Sequence, residues 1–166
     1  MMIRNEQTTD VEAIAEVTRA AFENHPYSRQ TESFIIDALR AAGALTVSLV
    51  AEVEGAVVGH VAFSPMTFSD GSRDWYGLGP VSVLPAFQRQ GIGSALIRRG
   101  VAILKSSGAQ GCVLVGPPEY YQRFGFRHVP DLVMEGVPPE VLLALPFGER
   151  QPCGEVTHHE AFSATG

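Results

Sequence analysis

Val81-Ser82-Val83-Leu84-Pro85-Ala86-Phe87-Gln88-Arg89-Gln90-Gly91-Ile92-Gly93-Ser94-Ala95-Leu96 reads as an extended apolar run, a short turn, a glycine-rich corner and an amphipathic helix. The corner puts Gly91 and Gly93 in the first turn of that helix, where a missing Cβ lets a ligand approach the backbone closely. The first N–H groups of a helix have no intrahelical partner, and the dipole adds about half a positive charge at that end. A strand running into glycines at a helix start is therefore a seat for a pyrophosphate. Two familiar seats fit poorly. A dinucleotide corner needs a third glycine where this chain has Leu96, and a P-loop needs a Lys that Gly93-Ser94-Ala95 lacks.

Position by position, Gln88-Arg89-Gln90-Gly91-Ile92-Gly93 resembles the (Gln/Arg)-x-x-Gly-x-(Gly/Ala) signature of the GNAT superfamily of acetyl-CoA-dependent N-acetyltransferases. The plainer alternative is a pair of glycines that only serves a tight strand-to-helix turn. Downstream, Glu119-Tyr120-Tyr121-Gln122-Arg123-Phe124-Gly125-Phe126-Arg127 resembles the family's second landmark, Tyr-x-x-x-Gly-Phe at the end of a short helix. Gly125 suits a helix C-cap, Phe126 a core plug, and Tyr121 stands one turn earlier. A phenol there can protonate a departing thiolate, or it can be an amphipathic core tyrosine.

Composition narrows the field. The chain has 166 residues, read as one domain over 1–166, with 45% hydrophobic and 18% charged residues, a globular balance that argues against disorder. A net charge of −6 argues against a nucleic-acid partner, since phosphate neutralisation needs clustered Lys and Arg. Arg98, Arg99 and Lys105, on the helix after the glycines, are a solvated face or a contact for the 3′-phosphate of coenzyme A. No run has the length of a membrane span and the first residues do not read as a signal peptide. Cys112 and Cys153 follow no pairing or metal spacing, and the cytoplasm is the expected location. His158-His159 with His128 or Cys153 hints at a metal, but adjacent strand residues point to opposite faces, so no metal is expected.

Along the chain, residues 2–6 read as an edge strand and Thr9-Asp10 as an N-cap for a helix through Phe22. A second helix is expected from about Arg29 to Ala42, with Gly43 as its stop. Strands over 46–54, 56–65 and 74–83 form a meander around turns at Glu54-Gly55 and Asp70-Gly71. The helix after the corner runs to about Ser107, followed by a buried parallel-type strand over 111–116 and a short helix over 117–124. Strand-like pieces at 141–147 and 155–162 end the chain. This β-α-α-β-β-β-α-β-α-β-β order is similar to the superfamily's α/β sandwich, a mixed and centrally splayed sheet flanked by helices, and the likeness covers essentially the whole chain.

The resemblance implies a mechanism. The splayed strand leaves backbone groups of Val81, Ser82 and Val83 for the pantetheine amides of acetyl-CoA, and Pro80, with Gly79, makes an interruption of pairing natural there. The Val81 amide would polarise the thioester carbonyl, and the amides from Arg89 through Gln90, Gly91, Ile92 and Gly93 to Ser94 would hold the pyrophosphate, with Gln88 leading in. An amine of a small molecule or protein attacks directly, and Tyr121 assists the thiolate. A homodimer is left open.

Two departures stand out. Many relatives carry a Glu, the general base, where this chain has Gly77; Asp74, Tyr76, His60 or a held water are the substitutes within reach of the sequence. Relatives also often have Asn and Ala where this chain has Leu114 and Pro117. Trp75-Tyr76 either lines an acceptor cleft or covers the sheet, and acceptor contacts are expected from 23–29 and 131–140. The competing classes are a non-catalytic acyl-CoA sensor on the same fold and a dinucleotide enzyme. The latter needs an acid about twenty residues past the glycines, and none stands in 111–115.

Overall fold

Local chemistry sets most of the boundaries. The computed structural model describes residues 1–166. Strand β1 (Met2–Asn5) leads through a 3-10 turn at Thr8–Asp10 into helix α1 (Val11–Phe22). The expected N-cap is corrected here. Asp10 already has helical backbone angles, and its carboxylate accepts from the Gln7 N–H (2.7 Å) and from Arg4 (2.7 Å) instead of capping α1. Helix α2 (Glu32–Ala41) starts later than expected because Gln30 is left-handed (φ 61°). It ends at Gly43 (φ 68°), with the Ala44 N–H returning to the Leu39 carbonyl as in a Schellman end.

Strands β2 (Val47–Val53), β3 (Ala56–Phe68) and β4 (Trp75–Val83) form the antiparallel meander. Glu54 (φ 51°) and Gly55 (φ 80°) are both left-handed, as a two-residue type I′ hairpin requires. Helix α3 (Ile92–Ser106), strand β5 (Gly111–Val115) and helix α4 (Pro118–Tyr121) follow. Then come β6 (Arg127–His128), β7 (Leu132–Val133), β8 (Leu142–Pro146) and β9 (Gly154–His158). The main sheet runs β1-β2-β3-β4-β5-β8-β6, with β9 on the far end of β3 and β7 beside β9. The two-residue strands β6 and β7 were not expected, and the last strand-like piece ends at His158 before a 3-10 turn at Glu160–Ser163.

The sheet separates two cores. On one face α3 packs its buried Ile92, Leu96, Ile97 and Leu104 against Leu49, Val61, Phe63, Leu78, Cys112 and Leu114. It lies very close: a Cβ on Gly100 would stand 2.1 Å from the Phe63 ring, and one on Gly59 3.1 Å from Ile92 and Leu96. On the other face α1 and α2 cover Val50 and Ala62 with Ile14 and Ile36. Further along that face Met66, Trp75, Val113, Ala144 and Val156 form a second apolar cluster. The side chain of Trp75 thus covers the sheet. No helix is long and apolar enough to cross a membrane.

Candidate active site

The chemistry gathers where the sheet forks. β4 and β5 run parallel but pair only at Trp75–Gly111, Tyr76–Cys112 and Gly77–Val113. Past that point Leu114 and Val115 pair with Leu143 and Leu142 of β8, while β4 keeps β3 alone as its neighbour. Opposite the departure the β3–β4 register shifts between Val61 and Phe63: Val61 faces Val81, but Phe63 faces Leu78. The extra residue falls at Gly79-Pro80, where the sequence pointed to a bulge.

Ladder phase decides which groups face the fork. The Leu84 N–H donates to the Val58 carbonyl at 2.9 Å. Antiparallel partners alternate between bonded and non-bonded pairs, so Ser82 and His60 exchange backbone bonds while Val81 and Val83 turn theirs to the fork. Ser82, grouped with the valines in the sequence, is corrected on this point. Its backbone belongs to β3, and its hydroxyl is buried on the α1/α2 face without a partner. The Val83 carbonyl is engaged as well, accepting from Gln88 Nε2 at 2.9 Å. The open groups are the N–H and C=O of Val81 and the N–H of Val83.

Beyond the fork the chain turns into α3. Arg89 (φ 65°) and Gly91 (φ 84°) are both left-handed, and Gly91 is the N-cap with no side-chain cap bond. The first intrahelical bond is Ala95 N–H to Gly91 carbonyl, so the N–H groups of Ile92, Gly93 and Ser94 point out of the helix without such partners. Alternating left-handed residues before a free helix start make a concave array of donors suited to an anion. The side chain of Ile92 is buried in the core, so this residue offers its backbone only; Gln90 reaches back toward the Ala86 carbonyl at 3.5 Å.

The far wall comes from α4. A Cβ on Gly93 would stand 3.7 Å from Val83 Cγ2 and 3.6 Å from the hydroxyl of Tyr120, so strand end, helix start and α4 converge. Tyr120 was not singled out in the sequence, and its neighbour pattern offers no sign of this contact. Tyr121 lies edge-on to Tyr120 (4.9 Å between centroids) and to Phe126 (6.2 Å). Its ring fills the space a side chain at Gly116 would take, the built Cβ being 2.5 Å away. Burial first, and the neighbouring Tyr120 second, push its phenol up to about 12, which keeps it protonated as a proton donor must be. Arg123 stacks on Tyr120 (4.4 Å) and Arg98 on Phe124 (4.9 Å), placing two guanidinium groups on α4 and its 3-10 extension. Lys105, stacked on Phe147, stands about 18 Å of helix from Gly93 and lies outside this group.

The base candidates named from the sequence are not at the fork. Asp74 is exposed at the closed end of β4, and Tyr76 packs into the α3-side core. His60 is fully buried, with Nε2 2.8 Å from Ser48 Oγ, whose hydroxyl hydrogen goes to Glu6. That arrangement makes Nε2 the protonated nitrogen and leaves Nδ1 bare. Glu6 is held in turn by Arg40 (2.8 and 2.9 Å). Burial drives His60 down to about 4, so it is a neutral member of a sealed polar network. Of the two expected acceptor segments, 23–29 carries the exposed Tyr27 beside His25, and 131–140 packs Leu132, Met134 and Val137 into the second core. No group of three His, Cys, Asp or Glu side chains converges as a metal site.

A forked parallel pair edged with open backbone groups and closed by an anion-binding helix start defines an α/β acyltransferase. Residues 11–126 match the acetyltransferase (GNAT) family, and the chain belongs to that family. It is 35% identical over 128 residues to the uncharacterized N-acetyltransferase YhbS of Escherichia coli, covering 76% of this chain and 74% of YhbS. Its fold superposes on a GNAT family acetyltransferase from Brucella melitensis solved in complex with acetyl-CoA, at TM-score 0.88 and 50% identity over 98% and 97% of the two chains. The structure of YhbS in complex with CoA matches at TM-score 0.88 and 30% identity, over 99% and 93%.

Proposed function

We propose that this chain transfers the acetyl group of acetyl-CoA to a primary amine of a small molecule or protein by direct attack. The observation that carries it is the fork itself, with the N–H and C=O of Val81 and the N–H of Val83 open on β4 shortly before the left-handed cap of α3. Acetyl-CoA supplies the activated thioester when bound. Val81 and Val83 bind the amide-bearing arm as an added strand would. The Val81 N–H donates to the thioester oxygen, a contact worth about 3 kcal/mol where charge develops. The N–H groups of Ile92, Gly93 and Ser94 hold the pyrophosphate, and Tyr121 protonates the leaving sulfur. The proposal places the reaction in the cytoplasm, in keeping with two free thiols, Cys112 and Cys153.

Thermal unfolding with acetyl-CoA, and with NAD as control, tests the reading. At a hundred-fold excess over Kd a ligand stabilises by about 2.7 kcal/mol, or about 5–10 °C for a chain of this size. Gly91→Glu sets a carboxylate beside the donor array and strains a left-handed position, so the shift with acetyl-CoA should vanish. No shift in the wild type removes the proposal and leaves the glycine corner as a turn.

A further inference from the structure

We propose that His158 is the base that deprotonates the acceptor amine; this rests on the acetyl transfer proposed above. β9 lies antiparallel on the end of β3, with His158 opposite Met66. A Cβ built on Gly77 would meet Met66 Sδ at 2.8 Å and His158 Nδ1 at 3.8 Å. The imidazole therefore reaches from β9 to the last residue of β4 that is still paired with β5, on the sheet face where α1 and α2 lie. The ring stacks flat on Phe162, 4.0 Å between centroids and 12° between planes, which fixes its orientation. The residue as a whole stays partly exposed, yet Nδ1 is buried and has no hydrogen-bond partner. An enclosed, unpartnered ring nitrogen aimed at the Gly77 position beside the fork is a site for a proton or a donor from the substrate side.

The surroundings favour the neutral ring, whose bare nitrogen can accept a proton. Burial alone lowers the His158 pKa. The groups placed against it are Met66 of β3, the position of Gly77 on β4 and Phe162 of the following turn, while α2 meets that turn through Ile35 and Leu39. None is charged. His159 points elsewhere, its Nδ1 accepting from the Ala161 N–H at 3.0 Å. Both His158 and His60 have a buried, bare Nδ1, but His158 is partly exposed as a residue whereas His60 has no exposure at all.

The proton balance closes. The acceptor enters as an ammonium and loses one proton to His158, directly or through a water. Its lone pair forms the C–N bond to the acetyl carbon, and the C–S pair leaves with sulfur. Tyr121 gives its phenolic proton to that sulfur and regains one from the new amide nitrogen. His158 releases its proton to solvent, so the products are amide, free thiol and one proton.

The test compares wild type with His158→Gln and with the double variant His158→Ala, Gly77→Glu. Thiol release is followed with acetyl-CoA and a panel of primary amines (an alkyl diamine, an aminoglycoside, a lysine-containing peptide). Hydroxylamine, largely unprotonated at neutral pH, is the nucleophile that needs no base. The expected result for His158→Gln is a fall of about 10²–10⁴-fold in kcat with the primary amine, loss of the acid limb of the kcat/KM profile, a much smaller fall with hydroxylamine, and an unchanged thermal shift with acetyl-CoA. The double variant, which puts a carboxylate where the imidazole stood, should recover part of the rate. A His158→Gln enzyme within threefold of wild type on a primary amine, with the same pH profile, overturns the assignment while leaving acetyl transfer in place. A wild type that acetyl-CoA does not stabilise removes the transfer reading and the base with it.

Discussion

Replacing Gly100 by Ala should destabilise the protein, although Ala is the better helix former. In the interior of α3 the exchange by itself gains about 1 kcal/mol. The new methyl carbon would stand 2.1 Å from Phe63 Cε1, 2.6 Å from Cζ and 3.1 Å from Cδ1. Phe63 is fully buried, so its ring cannot swing into solvent. Overpacking of a tight core costs about 1–3 kcal/mol, and contacts this short belong at the upper end. The net effect is a loss of about 2 kcal/mol, or roughly 4–8 °C in Tm for a chain of this length. Urea and thermal unfolding measure it. Pairing the change with Phe63→Leu should give a double variant more stable than the two losses predict together, since the smaller side chain vacates the disputed space. The same displacement has a functional reading. If α3 rides up off β3, Gly93 parts from Val83, and the thermal shift with acetyl-CoA should shrink as well. A Gly100→Ala protein at or above wild-type stability would refute the claim that this glycine sets the distance between helix and sheet.

Two further outcomes follow from the site and its buried network. Tyr121→Phe removes the phenolic proton but keeps the packing against Phe126 and Gly116, so kcat should fall by about 10²-fold at unchanged Tm and acetyl-CoA affinity; steady-state rates and a thermal shift decide it. His60, driven to about 4 in the folded state from an ordinary 6.5, makes stability depend on acid. Its contribution is complete above pH 6.5 and declines as pH falls toward about 4, because only the unfolded chain binds the proton there. The loss is of order 3 kcal/mol at the bottom of that window. Urea midpoints at pH 7, 6 and 5 should fall steadily in the wild type and less steeply in His60→Asn, the residual slope belonging to His158, shifted in the same direction, and near pH 5 to Glu6, whose carboxylate is also held below its usual range.

The parts of this fold that were legible in the sequence are those written in short-range chemistry. The Glu54-Gly55 hairpin, the Gly43 helix stop and the strand-to-helix corner at Gly91 each depend on left-handed backbone at a single residue or pair, which local sequence announces. The fork was implied by the family resemblance, and Gly79-Pro80 supplied a local reason for pairing to break there. What stayed hidden depends on partners far along the chain. β6 and β7 are two residues each, too short for any periodicity to register. The start of α2 was misplaced by a left-handed Gln30, a residue type with no special claim to that conformation. The neighbours of His158 required knowing that β9 pairs with β3 beyond Pro65, and nothing local encodes that pairing. Strand parity did hold one clue: Val156 is buried, and His158 shares its face.

The extra residue in β4 ties both sides of the site to one backbone event. Leu78 faces α3, and an uninterrupted strand would send residues 80 and 82 to that same face. Between Phe63–Leu78 and Val61–Val81, β3 advances two residues and β4 three, so beyond the shift Val81 and Val83 take the α3 side and Ser82 the other. The bonding phase moves with the side chains. Because His60 and Ser82 are now the bonded pair, the backbone groups of Val81 and Val83 are released on the β5 side, where β5 has already turned to β8. Without the shift, position 82 would face α3 and open toward β5, and the valines would be spent on β3. The same register leaves Gly77 just before the break, still paired with Val113, with its missing side chain toward Met66 and His158. Donor-side backbone and acceptor-side imidazole thus take their places from where β4 gains one residue. An insertion or deletion at Gly79-Pro80 should therefore abolish acetyl transfer even in a protein that still folds, because it exchanges the two faces of the strand from residue 81 onward.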